Sequence, residues 1–312
     1  MKKLPFIFLF LSFYMGLFAQ QEPQFNQYMF NKTIINPAGA GTNDAVYMAG
    51  IFRNQWIGYK DGDSINVSPQ TYGLSFDMPL YAIKSGVGIN FQYGSTGAEK
   101  NINFKLNYAY HLSIKRKHRL SFGLSLSLLS KSIDYSRLLP AEFDPMLQSD
   151  DVEKGMMTDI GFGIHYQAHN KFYLGISASN LLGSTAEIGA PEFNLERHYY
   201  VFSGYDIDIN NDVVITPGIL LRATSTAMNL NINAILTYQE FFWGGLLFRT
   251  GSAVGMMAGI NYNGFRIGIS YDYTMSSDFA VKRRHSIEAL VSYTYAIFPK
   301  VVKKSGYNTR NL

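Results

Sequence analysis

Apolar and small polar residues alternate with period two along much of this chain. Arg119 to Lys131 shows it best, with Leu120, Phe122, Leu124, Leu126 and Leu128 set between Ser121, Gly123, Ser125 and Ser127. Successive side chains of a strand point to opposite faces, so this pattern predicts strands with one apolar face. Ser85 to Gly94, Asn101 to Leu112, Thr158 to Ala168, Thr226 to Tyr238, Phe265 to Tyr273 and Ile287 to Ile297 repeat it. Less regular segments lie near Ala45–Phe52, Gln70–Met78, Lys171–Asn180, Arg197–Ile207, Asp212–Arg222, Phe241–Arg249 and Ala253–Tyr262. The total is about fourteen strands of roughly nine to thirteen residues, the length a tilted strand needs to cross a membrane. In Arg197–Ile207 both faces are apolar, so the pattern does not say which looks outward.

A soluble sandwich would put charges on the face opposite its core. Here that second face is Gly, Ser and Asn, so the expected fold class is all-β, a transmembrane antiparallel up-and-down barrel over residues 44–298. Outer-membrane barrels alternate short periplasmic turns with longer extracellular loops. Connections after even-numbered strands are short, including His169–Asn170, Gln239–Glu240 and Asn263–Gly264. The three longest, near Arg53–Pro69, Ser132–Met157 and Leu181–Glu196, follow odd-numbered ones. An even strand number places both termini in the periplasm and the long loops outside. Closure is required, because each unpaired backbone group in lipid costs several kcal/mol. Fourteen strands about 4.8 Å apart, tilted near 40°, enclose a cylinder roughly 28 Å across. Small inward residues cannot fill it, so the lumen is either a water-filled passage or plugged, by the N-terminal segment 20–43 or by the Ser132–Met157 loop.

Composition agrees with a wall in lipid. Charged residues are 16%, against roughly 25% in soluble domains, while the chain carries 22 Tyr, 23 Phe and 28 Gly. Lys2 and Lys3, the apolar run Leu4 to Phe18 and the small Ala19 read as a secretory leader over residues 1–19, too short for a spanning helix. With no cysteine there is no lipid anchor, disulfide scaffold or thiolate metal site. Losing Lys2 and Lys3 takes the formal charge from +4 to about +2, which does not favour nucleic acid as a partner.

Little on the chain points to chemistry. The six histidines, at 111, 118, 165, 169, 198 and 285, lack ligand spacing, and no nucleophile-elbow, phosphate-loop or zinc-protease motif occurs. No catalytic residue, cofactor or metal is expected. Lys105, Arg222, Arg266, Asp272 and Glu288 are expected to project into the lumen, either as internal salt bridges or as a selectivity or plug-docking patch. Asp150, Asp151 and Glu153 read as a solvated acidic loop. Lys115, Arg116, Lys117 and Arg119 form a basic turn, and Lys282, Arg283 and Arg284 a second basic cluster suited to lipopolysaccharide phosphates or to solvent. Trp56, Tyr271, Tyr273, Tyr293 and Tyr295 read as belt or wall aromatics.

Gln24 to Thr42 reads QFNQYMFNKTIINPAGAGT and resembles the opening motif of the PorP/SprF family, with Phe25 near its start and Asn36, Pro37 and Ala38 near its end. Arg53, Asn54, Gln55 and Trp56 are similar to that family's Arg-x-Gln-Trp, followed by Pro69 and Thr71. Phe143–Pro145, the pair Gly244 and Gly245 with Arg249, and Arg284–Tyr293 resemble later motifs. The resemblance spans nearly all of the chain after the leader. One departure is that the chain runs fourteen residues beyond the aromatic Phe298, as a tail over 299–312. The resemblance implies an outer-membrane component of the type IX secretion system or of gliding motility. Its partners would be a secreted adhesin or cargo with a C-terminal sorting domain, other secretion components, and outer-membrane lipid and lipopolysaccharide. Phe25, Asn36, Pro37, Arg53, Gln55 and Trp56 become candidate plug or partner contacts. The rival readings are a passive porin-like channel and a barrel enzyme.

Overall fold

The computed structural model describes residues 23–60, 67–115, 117–137, 152–168, 171–188, 192–275 and 285–297. Fourteen strands form one closed antiparallel barrel. They are β1 (Ala45–Asn54), β2 (Gln70–Leu80), β3 (Ser85–Thr96), β4 (Glu99–Lys115), β5 (His118–Asp134), β6 (Val152–Ala168) and β7 (Phe172–Ser179). The second half is β8 (His198–Tyr205), β9 (Val213–Ala223), β10 (Met228–Tyr238), β11 (Phe242–Arg249), β12 (Ala253–Tyr262), β13 (Phe265–Thr274) and β14 (His285–Ala296). Each pairs with its sequence neighbours, and β1 pairs with β14 from Ala45 against Ala296 to Asn54 against Ile287, which removes every free edge. No described helix is long and apolar enough to cross a membrane.

One rim carries the turns after even-numbered strands and the entry into β1; the other carries the longer loops. At the short-turn rim, Asn263 and Gly264 both have positive φ, 47° and 83°, as a two-residue hairpin turn demands. Gln239 and Glu240 adopt the same left-handed region at 50° and 55°. His169 and Asn170 lie outside the described residues.

Alternation sorts the faces as the pattern predicts. On β5, Leu124 is 60% exposed on the outside while Ser121, facing the lumen, is fully buried. Outward Tyr110, Tyr205, Tyr238, Tyr262 and Phe265 ring the short-turn end, and Tyr72, Tyr199, Tyr271 and Tyr273 the long-loop end. Two aromatic girdles flanking an apolar band are what a lipid bilayer requires of a barrel.

Strand lengths depart from the expected range, running from eight residues in β7 to seventeen in β4, β5 and β6. The stretch Ser132–Met157, expected as a loop, is strand at both ends: Asp134 pairs with Val152 and Leu129 with Met157. Hydrogen bonding thus continues above the apolar belt, where polar outward residues such as Ser130 and Ser132 hide the strand from a hydrophobicity pattern. Residues 138–151, with Phe143–Pro145, Asp150 and Asp151, lie outside the described residues, as do Arg116, Lys282, Arg283 and Arg284.

The ambiguous segment is now resolved. His198, Tyr200, Phe202 and Gly204 of β8 face inward, and Tyr200 and Phe202 are 2% and 1% exposed. They read as apolar on both faces because the lumen behind them is packed with protein instead of water.

Candidate functional site: the occupied lumen

The segment between Phe25 and Thr42 lies inside the cylinder as a strap of three short 3-10 turns, Tyr28–Phe30, Lys32–Ile34 and Pro37–Gly39. Such turns leave many backbone groups without intrasegment partners, and the wall supplies them. Ser177 Oγ donates to Ile35 O at 2.6 Å, Tyr47 OH to Phe30 O at 2.6 Å and Lys105 Nζ to Ile34 O at 3.4 Å. Polar side chains meet in the same way. Asn31 Nδ2 donates to Ser75 Oγ at 2.7 Å, Asn90 Nδ2 to Thr33 Oγ1 at 3.1 Å and Asn233 Nδ2 to Tyr28 OH at 2.7 Å.

The strap's leading end is held by a charge cluster near the long-loop rim. Glu288 Oε2 accepts from Asn26 N at 2.7 Å, and its Oε1 from Gln27 N at 2.9 Å. Arg53 Nη1 reaches Glu288 at 3.2 Å, and its Nη2 reaches Asp272 at 2.6 Å. Arg53, Asp272 and Glu288 are all at most 1% exposed. Burying such charges costs more than their mutual attraction returns unless further hydrogen bonds satisfy the remaining lone pairs; the strap's amides provide those bonds at Glu288, while Arg53 Nε and Asp272 Oδ1 find no hydrogen-bond partner among the described residues. Asn26 is gripped on both sides of its amide: Nδ2 donates to Ser270 Oγ at 3.1 Å, while Oδ1 accepts from Arg249 at 3.1 Å. The strap is therefore part of the ion cluster's solvation shell.

At the trailing end, Asn36 caps the turn Pro37–Gly39. Its Oδ1 accepts from Ala38 N at 2.9 Å, and its Nδ2 donates to Ile164 O at 3.0 Å and Ile176 O at 3.3 Å. Here the strap's backbone presses directly on the wall. A Cβ added at Gly123 would lie 2.1 Å from Ala38 N, one at Gly163 2.1 Å from Asn36 Oδ1, and one at Gly86 2.2 Å from Ala40 O. Glycines that look like the lining of a water channel are the seats of the strap. Gly41 N then donates to Asp77 Oδ1 at 2.9 Å, and Arg119 holds Thr42 O at 3.2 Å and Asp44 at 2.5 Å as the chain turns into β1.

The remaining volume is filled by three apolar clusters. Phe25 and Ile34 pack with Tyr47, Ala49, Ile51 and Leu290. Tyr28 packs with Tyr200, Phe202 and Leu220, and Met29 and Phe30 pack against Ile235, Trp243, Leu247 and Met257. The inward set is thus not uniformly small and wettable.

Of the residues singled out from the sequence, the lumen brings together Arg53, Asp272 and Glu288, and separately seats Phe25, Asn36 and Pro37. Lys105 and Arg266 turn to the strap: Lys105 binds Ile34 O, and Arg266 lies over the Phe30 ring at 4.2 Å while donating to Asn261 at 2.8 Å. Arg222 stands apart, beside His198 Nδ1 at 3.4 Å. Gln55 and Trp56 are at the long-loop rim, not in the lumen. Gln55 N donates to Pro69 O at 2.8 Å, and Trp56 Nε1 donates to Thr274 Oγ1 at 3.2 Å. Trp56 consequently sits against the long-loop ends of β13 and β14, its N donating to Ser286 Oγ at 3.3 Å, and has a φ of 51° where the chain leaves β1. Tyr271, Tyr273 and Tyr295 are exposed on the outer wall.

Sequence reasoning passed over Asp77 and Asp159, and met Asn26, Gln27 and Arg249 only as members of family motifs, with no place in the lumen. The signal for Asp77, Asp159 and Arg249 was available, since each is a charge at an inward position of an alternating strand. Asp159 anchors the loop after β7, accepting from Leu182 N at 3.0 Å and Ser184 N at 3.1 Å. Among the described histidines, His111 meets Ser121 Oγ at 2.8 Å, His118 meets Tyr166 OH at 2.6 Å, and His165 packs beside the rings of Tyr173 and Phe202 with both ring nitrogens buried and without a hydrogen-bond partner. Among the described residues, no three of His, Cys, Asp or Glu converge as metal ligands.

Solved structures with a similar fold include transporters and channels of low sequence similarity. The toluene transporter TbuX of Ralstonia pickettii aligns with 9% identity over 85% of this chain and 93% of its own, at a TM-score of 0.52. The monoaromatic hydrocarbon channel CymD gives 11% identity over 86% and 92%, at 0.51, and the P. putida toluene transporter TodX 9% over 85% and 93%, at 0.50. At such identities the likeness establishes the barrel fold alone. No protein of curated function matches the sequence. The family described as type IX secretion system membrane protein PorP/SprF, by contrast, matches residues 17–293. With a closed membrane barrel and nearly the whole chain covered, this protein belongs to the PorP/SprF family of type IX secretion system membrane proteins.

Proposed function

We propose that this barrel is a sealed docking component of the outer membrane that partners a secreted surface adhesin, or the secretion machinery itself, for export or attachment of gliding type. In this reading the long loops are extracellular and the short turns and the chain following β14 are periplasmic, as in other outer-membrane barrels. The observation that carries it is the filled lumen. From Phe25 to Thr42 the strap satisfies its backbone on the wall and packs three apolar clusters, so the cylinder is a rigid platform and its rims are the surfaces left for partners. Family membership supports the secretion role. A cargo with a C-terminal sorting domain is the expected partner at the long-loop face, with lipid and lipopolysaccharide around the girdles and no chemistry performed. Purification from native membranes under mild detergent tests it. Co-purification of a sorting-domain protein or a secretion component is the expected result, and recovery of the barrel alone in repeated preparations counts against it.

A second reading has one observation in its favour: the solved structures of like fold are described as transporters and channels of hydrocarbons. A passive porin-like channel requires a continuous passage. Steady conductance of the wild-type protein in planar bilayers would favour that reading over the docking platform.

A further inference from the structure

The direction in which the strap threads the barrel carries a consequence for topology. Its trailing end is fixed at the short-turn rim, where Arg119, the second residue of β5, holds Thr42 O, and where β1 begins at Ala45. Its leading end is fixed in the opposite half. Glu288, which takes the amides of Asn26 and Gln27, is the fourth residue of β14 counted from the long-loop rim, and Arg249, which takes Asn26 Oδ1, is the last residue of β11 on that side. Pro23 and Gln24 line a hollow that runs from Ile34 and Ile35 inside the barrel to Gln92, Arg222 and Asn231, near the long-loop ends of β3, β9 and β10. The way back towards the short-turn rim is closed by the packing of Phe25 on Ile51 and Leu290 and of Tyr28 on Phe202 and Leu220.

We infer that the strap is one more passage through the barrel, with its leading end at Pro23 and Gln24 turned to the long-loop mouth, on the same face as the long loops. An even number of strands alone would put both ends at the short-turn rim; the strap reverses this for the N-terminal side. Arg53 and Glu288 face one another across the β1–β14 seam, and both belong to the cluster that holds Asn26, so the strap's leading end is tied to the closure of the barrel. The inference does not depend on which compartment that face meets.

The chain has no cysteine, so single-cysteine variants report accessibility without background. Gln21→Cys, ahead of Pro23, is compared with Met275→Cys at the long-loop rim and Lys117→Cys at a short turn. The probe is a bulky membrane-impermeant maleimide, applied to intact cells and then to lysed ones, with heat-modifiable migration used to select folded barrels. Gln21→Cys is expected to label with Met275→Cys and not with Lys117→Cys. Labelling in step with Lys117→Cys overturns the inference, as does a Gln21 cysteine that stays unreactive in both preparations. If Lys117→Cys labels in intact cells and Met275→Cys does not, the orientation given under the proposed function fails, while the pairing of Gln21 with one or the other still decides this inference.

Discussion

The inner wall of the barrel has two unlike halves. From β3 to β6 it presents Gly86, Gly88, Asn90, Asn107, Ser121, Gly123, Ser125 and Gly163, and the strap meets it with backbone and with the small residues of Asn36 to Thr42. From β8 to β12 it presents Tyr200, Phe202, Leu220, Ile235, Trp243, Leu247 and Met257, and the strap meets it with Tyr28, Met29 and Phe30. The strap occupies both halves, one by letting main chains touch and the other by contacts between apolar side chains. Alternation is strict on β3 to β6, where the strap's backbone fills the lumen, and is lost on β8, where side chains fill it.

Substitutions that exchange the two kinds of filling should have unequal effects. Gly123→Val should be the most damaging, because its Cβ would fall 2.1 Å from a strap amide that cannot move aside. The strap should be expelled, which would appear as steady bilayer conductance and protease sensitivity of segment 25–42. Retention of a sealed lumen would break the comparison.

Glu288→Ala should come next. It leaves Arg53 buried beside one carboxylate and frees the amides of Asn26 and Gln27, at a cost of about 3–5 kcal/mol. Urea unfolding in lipid vesicles measures it, with flickering conductance as the companion sign of a loosened leading end.

Phe202→Ala, in the apolar half, should cost about 3 kcal/mol through its cavity while keeping the lumen shut, since the strap's hydrogen bonds lie elsewhere. A conductance as large as that of Gly123→Val would show that both halves seal the lumen in the same way. Gly50→Ala is the contrast on the lipid side. Its Cβ would meet only Leu74 Cδ2, at an ordinary 3.6 Å, and stability should stay within about 0.5 kcal/mol of wild type. A large loss there would mean that the tolerance of glycines in this wall is not set by what lies behind them.

How far the sequence could be read follows the same division. Leu120 to Leu128 on β5 and Phe265 to Tyr273 on β13 declare their strands and faces outright, because lipid on one side and small residues on the other give a period-two signal of high contrast. On β8 the contrast vanishes at Tyr200 and Phe202, and nothing local says what those rings touch. Arg53 stood out as part of a motif, and Asp272 and Glu288 as inward charges, but they lie 219 and 235 positions away from it along the chain. Their union depends on the closing of β1 on β14.

The amino-acid pattern by itself determined a closed membrane barrel of about fourteen strands, with its tight turns and the outward face of every strand but β8, since each of these follows from the alternation and length of single segments. Only the tertiary structure decided that the lumen is occupied, that the segment 25–42 occupies it, and in which direction that segment runs. Those depend on the volume enclosed by all strands together and on charges that share no local context. Periodicity registers what surrounds a strand on average, and it holds no record of which distant piece of chain fills the space behind it.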